Sequence, residues 1–185
     1  MNFGPEQKQK EGIEAAVKEG KYLTFRLANE IYGVEVMRVM EITGVVEATK
    51  VPRTPEFVRG VINLRGAILP VIDMRIKFGM ENAADKKATC IVVLEIATGG
   101  AMAQMGIVVD SVEDVLDIYK KDVEAAPSFG VEINTEFIHG MAKTDKGVII
   151  LLNIDKVLTT DEIAGVFDAG IKNNDEGNEK EEINV

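Results

Sequence analysis

The chain has 185 residues, and its 31 acidic and 21 basic side chains give a formal net charge of −10 at pH 7. A protein this acidic repels phosphate backbones and anionic lipid surfaces, which argues against nucleic-acid partners. One cysteine, Cys90, excludes an internal disulfide, and one histidine, His139, leaves little room for a metal site. We therefore expect no metal and no cofactor. Because no apolar run approaches the length of a membrane span, we also expect no membrane insertion and a cytoplasmic protein.

The first third of the chain predicts an extension followed by strands. Residues 1–21 are polar and charged, which is typical of a flexible N-terminal extension. Apolar and polar residues alternate with a period of two from Tyr22 to Leu27, and this predicts a strand. A second strand is predicted over Ile31–Val36, whereas Met37–Ile42 fits either a continued strand or one helical turn.

The stretch from Pro55 to Gly79 predicts a hairpin. Two apolar strands, Val61–Leu64 and Ile68–Ile72, flank a tight turn at Arg65–Gly66. Glycine adopts the positive φ that such a turn requires. Polar residues (Asn63, Arg65 and Asp73) interrupt this apolar run. A guanidinium at the tip of an apolar hairpin is either paired locally or offered to a partner.

The remaining residues predict more strands and a short helix. Strands are expected over Thr89–Ile96, Met105–Val109 and Val112–Ile118, with a second hairpin formed by Phe137–Met141 and Val148–Leu152. Asp155–Phe167 is expected to contain a short C-terminal helix with Thr159 or Thr160 as its N-cap. The acidic tail, residues 168–185, lacks the hydrophobicity to fold and is expected to be disordered.

An internal repeat is visible in this pattern. The segment around Gly33 matches the one around Gly106, and the hairpin led by Gly60 matches one led by Gly140. The two hairpins end in similar Ile-Asp sequences, which pair Asp73 with Asp155. The repeat boundary falls in the polar connector near residues 79–88. Two small closed barrels are the arrangement that this repeat favours, because closing a barrel removes exposed apolar edges.

Several motifs, in this order, resemble the CheW family of chemotaxis coupling proteins. They are YLTFRLANEIYGVEVMRVMEI, TPEFVRGVINLRGAILPVIDMRIKFG, GIVVDSVEDVL, APSF and GVIILLNIDKVLT, and the most specific part is Asn63–Gly66 with Pro70–Asp73. The resemblance implies a mainly β domain over residues 22–167. It also implies two five-stranded SH3-like barrel subdomains around a shared hydrophobic core.

The resemblance further implies an adaptor without catalytic activity. Such a protein would bind the regulatory domain of a CheA-type histidine kinase and the cytoplasmic tip of methyl-accepting chemoreceptors. It would thereby couple the state of the receptor to the activity of the kinase at membrane receptor arrays. Contacts between adaptors in these arrays are a further expectation.

The resemblance also assigns site residues. Glu41 and Arg65 are expected to form a charge pair at a receptor-binding groove, an exposed contact that is worth little on its own. The other residues expected at this groove are Val34, Val36, Val39, Gly60, Asn63, Cys90 and Val115. Phe129, in the Pro-Ser-Phe loop, is expected to contact the kinase or a second adaptor.

Two other classes of function are weighed against the adaptor. An enzyme requires a catalytic constellation, and the sequence contains no GxSxG, P-loop, HExxH or GxGxxG motif that would supply one. A barrel lined by valine and methionine is able to hold a small apolar ligand, and thermal stabilisation by a small molecule would identify that function.

Overall fold

The computed structural model of the protein describes residues 18–126 and 136–168, and within these ranges the chain is mainly β, as predicted. The strands are β1 (Gly20–Leu27), β2 (Glu30–Glu35), β3 (Val39–Gly44), β4 (Val58–Leu64), β5 (Ala67–Asp73), β6 (Cys90–Ala97), β7 (Met102–Val109), β8 (Ser111–Ile118), β9 (Val123–Glu124), β10 (Ile138–Thr144) and β11 (Gly147–Leu152). The helices described are α1 (Met74–Lys77), α2 (residues 160–168) and short 3₁₀ segments at Val36–Arg38, Lys120–Asp122 and Ile154–Lys156.

The strands form two sheets in this part of the chain. The order of one sheet is β8-β1-β2-β11-β10-β9, and the order of the other is β3-β6-β7-β5-β4. The first sheet has one strand more than the expected five because the two-residue strand β9 pairs with β10 at its edge.

Each sheet belongs to a separate compact unit. The first unit takes the described parts of residues 1–39 and 111–157, and the second takes residues 40–110 and the described part of 158–185. Strand β3 follows β2 in the chain but pairs with β6, and β8 follows β7 but pairs with β1. The units are therefore interleaved along the chain, and neither is a consecutive half ending in the connector at residues 79–88.

Each unit has its own apolar core. The core cluster of the first unit is Tyr22, Ile118, Ala142, Ile149 and Leu151. The core cluster of the second unit is Ile62, Leu69, Val71, Ile91, Val93 and Val108. These residues are almost all aliphatic, as the low aromatic content requires, and they project from strands that alternate between inward and outward positions.

The repeat seen in the sequence is present in the hairpins, with one change in its register. The backbone N–H of Asp73 donates to the carbonyl of Phe57 at 2.7 Å, and that of Asn153 donates to the carbonyl of Phe137 at 2.7 Å. Asp73 therefore corresponds to Asn153, and its pairing with Asp155 in the sequence comparison is wrong. A shift of two residues leaves every strand side chain on the same face, so the apolar pattern does not distinguish the two registers.

The chain termini differ slightly from the predicted boundaries. Strand β1 begins at Gly20, so Gly20 and Lys21 belong to a sheet although they were assigned to the extension. Residues 1–17 and 169–185, which contain the rest of the predicted extension and tail, lie outside the described residues. Residue 168, the first of the predicted tail, is helical.

The C-terminal helix α2 starts with a capping box, in which the two end residues of a four-residue motif hydrogen-bond each other's backbone. The Thr159 hydroxyl accepts from the Glu162 N–H at 3.2 Å, and the Glu162 carboxylate accepts from the Thr159 N–H at 2.7 Å. Lys77 of α1 also donates to both carboxylate oxygens of Glu162, at 2.7 and 2.8 Å. The prediction of a helix capped at Thr159 is confirmed. No helix in the described ranges is long and apolar enough to span a membrane.

Candidate functional site

The turn between β4 and β5 carries the most exposed charged group of the predicted site. Arg65 and Gly66 both have positive φ, 53° and 88°, which is the backbone pattern of a type I′ hairpin turn. The Asn63 side-chain oxygen accepts from the Gly66 N–H at 2.9 Å, and Asn63 thereby fixes the turn. A non-glycine residue with this φ is strained by about 1 kcal/mol, so arginine here is not the residue that stability alone favours.

Arg65 makes the charge pair expected from the sequence. Its Nη2 donates to Glu41 Oε1 at 3.1 Å, which joins the turn to strand β3. The Arg65 side chain is 82% exposed and that of Glu41 is 27% exposed. This is the only hydrogen bond of the Arg65 guanidinium among the described residues. Most of its N–H groups therefore remain available to a partner with acceptor oxygens.

An exposed apolar strip lies on the segment that holds Glu41. Strand β3 is an edge strand of its sheet, and its residues alternate between half-buried and exposed. Met40 and Ile42 are the exposed residues beside Glu41, and Val45 and Val46 follow just beyond the strand. We call these four residues the β3 strip. Because successive side chains of a strand point to opposite faces, Met40 and Ile42 lie on the face of β3 that does not carry Glu41. An exposed apolar strip on an edge strand is typical of a protein interface.

The remaining predicted groove residues differ in their exposure. In the first unit, Val34 is completely buried in β2 and offers no surface to a partner, whereas Val115 is 48% exposed on β8. Val36 and Val39 are half-buried in the 3₁₀ segment and at the start of β3. In the second unit, Cys90 is half-buried at the start of β6. The structure thus brings together Glu41, Asn63 and Arg65 from the predicted set.

Gly60 has a backbone role in place of the predicted surface role. It is buried with a φ of +138°, and a Cβ at this position would lie 2.1 Å from the carbonyl oxygen of Thr49. Thr49 and Val61 exchange two backbone hydrogen bonds of 2.9 Å directly beside it. Only glycine allows this close approach. Phe129 lies outside the described residues.

A cluster of ion pairs in the second unit was missed by the sequence analysis. Arg59 donates to Asp73 at 2.9 and 3.1 Å and to both carboxylate oxygens of Asp85 at 2.8 Å. Asp73 is only 4% exposed, and Asp85 lies in the connector at residues 79–88. Hydrogen bonds from Arg59 lower the pKa of Asp85. The buried Asp73 was visible in the sequence as an acid in an apolar run, but nothing in the linear pattern indicated Asp85.

The remaining titratable groups in the described residues do not form a cluster suited to a metal ion. Burial lowers the pKa of His139, in the first unit, below its usual value of 6.5. No group of three or more His, Cys, Asp or Glu side chains in the described ranges is arranged to hold a metal ion.

Comparison with known proteins identifies relatives over most of the chain. A family model described as a CheW-like domain matches residues 21–162. Chemotaxis protein CheW of Klebsiella aerogenes is 38% identical over 144 residues, which cover 78% of this chain and 84% of that protein. Chemotaxis protein CheW of Rhizobium meliloti is 31% identical over 140 residues, which cover 76% of this chain and 88% of that protein.

A solved structure has the same fold. The scaffolding protein TtCheW from Thermoanaerobacter tengcongensis matches with a TM-score of 0.69 and 36% sequence identity. The match covers 78% of this chain and 96% of the solved chain. The similarity therefore spans almost the whole of that protein.

Proposed function

This chain belongs to the CheW family, and from that membership we propose that it is a non-catalytic adaptor that couples chemoreceptors to a CheA-type histidine kinase. The adaptor holds the cytoplasmic tip of a methyl-accepting receptor on one surface and the regulatory domain of the kinase on another. It acts in the cytoplasm and is recruited to receptor arrays at the membrane. Support for a scaffolding role comes from the name of the solved relative, which is a scaffolding protein.

The receptor-binding surface that we propose is centred on Arg65 and Glu41. The observation that carries this assignment is the strained, 82% exposed arginine at the tip of the β4–β5 hairpin, held by one contact to Glu41. The β3 strip supplies exposed apolar area on the other face of the strand that holds Glu41. A receptor helix with carboxylates that accept from the exposed Arg65 guanidinium would satisfy the charged part of this surface.

Signal transfer requires different contacts in the two states of the receptor. A ligand shifts a conformational equilibrium only by its difference in affinity for the two states. We propose that the receptor tip contacts the Arg65 turn differently in its two states, and that the adaptor transmits this difference as a coupling free energy to the bound kinase. Rigid strands on either side of the turn suit this role, because they keep the position of the contact fixed.

The kinase or a second adaptor is proposed to contact Phe129, an assignment that follows from the family resemblance of the Pro-Ser-Phe sequence. Aromatic residues are typical anchors of protein interfaces. The substitution Phe129→Ala is expected to weaken binding of the kinase regulatory domain or assembly of arrays and to spare receptor binding. An array-assembly assay that is unchanged in this variant would refute the assignment.

The decisive experiment is a calorimetric titration with the kinase regulatory domain and, separately, with a receptor-tip fragment. We expect saturable one-to-one binding of the kinase domain, and its absence at high micromolar concentration would refute the adaptor function. Arg65→Glu is expected to weaken receptor binding and to leave kinase binding unchanged. The charge-exchanged double variant Glu41→Arg/Arg65→Glu distinguishes the contribution of the internal ion pair from that of the exposed charge. It restores an ion pair between positions 41 and 65 but reverses the sign of the exposed group.

A matched control is available on the first unit. Lys21 pairs with Asp117 at 2.9 Å, and their side chains are 61% and 56% exposed. Lys21→Glu makes the same change of charge as Arg65→Glu but lies outside the proposed surface. It should leave receptor binding unchanged, and an equal loss in both variants would mean that net charge, not this site, controls binding.

A further inference from the structure

Each half of the chain contributes a hairpin to a sheet that is formed mainly by the other half. We define the N-half as residues 20–77, which contain β1 to β5 and α1, and the C-half as residues 90–152, which contain β6 to β11. In the first sheet the β1–β2 hairpin of the N-half lies between β8 and β11 of the C-half. In the second sheet the β6–β7 hairpin of the C-half lies between β3 and β5 of the N-half. Each half therefore contains a gap that only a hairpin of the other half fills.

The pairings across the halves are regular ladders. Strand β1 pairs with β8 in antiparallel register from Gly20↔Ile118 to Arg26↔Ser111, with one irregularity. The other strand of that hairpin, β2, pairs in parallel with β11 over Ile31↔Ile149, Tyr32↔Ile150 and Gly33↔Leu151. The matching parallel ladder in the second sheet joins β5 to β7, with Val71 opposite Gly106. A half on its own would expose unpaired backbone groups on both sides of each gap.

Both core clusters also draw on both halves. Tyr22 of the N-half packs with Leu151 of the C-half in the first unit, and Ile62 and Val71 pack with Ile91 in the second. Gly106 is adapted to this arrangement, because a Cβ there would lie 2.8 Å from an Ile91 methyl and 3.4 Å from a Val71 methyl. A separated half would lose part of each core. The surface that a separated half would need is that of the other half, in both chemistry and shape.

The connector between the halves is a tethered loop without regular secondary structure. Asp85 accepts from Arg59, and the carbonyl of Glu81 accepts from Arg75 at 3.4 Å. Residues 80–88 contain no helix or strand. A loop that joins two interlocked halves is able to act as the hinge of domain swapping, in which identical elements are exchanged between two copies of a chain.

We propose that this chain binds a second copy of itself by exchanging halves at the connector, and that the Arg59–Asp85 pair favours the closed, single-chain arrangement. In the exchanged dimer the N-half of each copy fills its gaps with the C-half of the other. All ladders and both core clusters are rebuilt without any new contact. Only the path of residues 80–88 differs between the two forms.

The first test uses two full-length variants, each damaged in a different half. Val34→Asp in the N-half and Ile107→Asp in the C-half place a charge at matching hairpin positions that are 0% exposed in the native chain. Each variant alone should show no cooperative unfolding. When the two are co-expressed with different tags, the intact N-half of one copy can pair with the intact C-half of the other. We expect co-purification of both tags and recovery of a cooperative unfolding transition.

The second test measures the role of the connector contact. In two otherwise native chains co-expressed with different tags, adding Asp85→Ala to both should raise the yield of the mixed dimer about two- to fivefold, because the closed form has lost an exposed ion pair. Asp117→Ala, which removes the exposed pair with Lys21, is the matched control and should not change the yield. Equal yields in the Asp85 and control variants would overturn the role of the Arg59–Asp85 pair.

The third test examines the interdependence of the halves, on which the proposal depends, if the damaged variants aggregate. A site for a sequence-specific protease is inserted after Ala83 in the otherwise native chain, which is then cut after folding. We expect the two fragments to stay associated and to separate only in denaturant. Fragments that separate in native buffer and remain folded would overturn the interdependence of the halves, as would co-expression that gives no co-purification.

Discussion

Asp73 binds Arg59 with one carboxylate oxygen and begins helix α1 with the other. Its Oδ2 accepts from Arg59 Nη2 and Nε at 2.9 and 3.1 Å. Its Oδ1 accepts from the N–H groups of Arg75 and Ile76 at 3.0 and 3.3 Å. With 4% of its surface exposed, this carboxylate links strand β4 to the end of β5 in a nearly dry environment. One side chain thus serves as both ion-pair partner and helix cap.

Removing that carboxylate is expected to destabilise the fold. Asp73→Ala should lower the free energy of unfolding by about 2–4 kcal/mol, because it removes a cap and a largely buried partner of Arg59. Asp73→Asn keeps a cap acceptor and should cost less. Urea unfolding followed by circular dichroism measures both variants. Equal stability of the alanine variant and the native protein would show that Asp85 alone satisfies Arg59.

The connector ion pair predicts a dependence of stability on pH. Hydrogen bonds from Arg59 hold the pKa of Asp85 below 3.8, its value in an unperturbed chain. A carboxylate with a lowered pKa in the folded state stabilises the protein above the unfolded pKa. That stabilisation is lost as the pH falls through the folded value. Stability should therefore decline as the pH falls below about 4.

The measurement is urea unfolding of the native protein and of Asp85→Asn between about pH 5 and pH 3. The variant lacks the titrating carboxylate, so its stability should fall less steeply over this interval. The size of the difference is limited because Asp85 is 37% exposed and the ion pair is screened by solvent. Parallel curves for the two proteins would contradict the prediction.

Substitution of Gly60 is expected to lower the stability more than substitution of Gly44 in the same sheet. Gly60→Ala places a methyl group 2.1 Å from the Thr49 carbonyl oxygen at a φ of +138°, and should cost about 3 kcal/mol or more. Gly44→Ala is the control, since its Cβ has no neighbour within 4 Å. It should change the stability by about 0.5 kcal/mol or less. Thermal unfolding of both variants decides whether the close approach to Thr49 is required.

Contacts between residues close in sequence could be predicted better than contacts between distant segments. The β4–β5 hairpin follows from an apolar alternation that is broken by a turn at Arg65–Gly66, and the cap at Thr159 follows from the Glu162 three residues later. The sequence does not predict that β3 joins the sheet of the second unit and that β8 joins the sheet of the first. Each of these strands would bury the same face in either sheet. Pattern fixes which face is buried but not which neighbour buries it.

One contact of the candidate site was predicted from the family resemblance. Glu41 and Arg65 were assigned from the family resemblance, and the structure brings them to 3.1 Å. The expected place of Gly60 at the groove followed from the same resemblance. The sequence alone does not show that Thr49 lies against the Gly60 backbone. Asp85 was likewise missed because it pairs with Arg59 across a polar loop, and such loops have no periodicity to read.

The strained turn predicts that stability and binding respond in opposite directions to one substitution. Arg65 has a φ of 53°, a conformation that asparagine adopts more readily than arginine. Arg65→Asn should therefore raise the free energy of unfolding by up to about 1 kcal/mol, less the small contribution of the exposed pair with Glu41. The same variant should bind the receptor tip more weakly, because it lacks the exposed guanidinium. Thermal unfolding and calorimetry on one preparation measure both effects, and a variant that is more stable and binds as well as the native protein would mean that Arg65 has no role in binding.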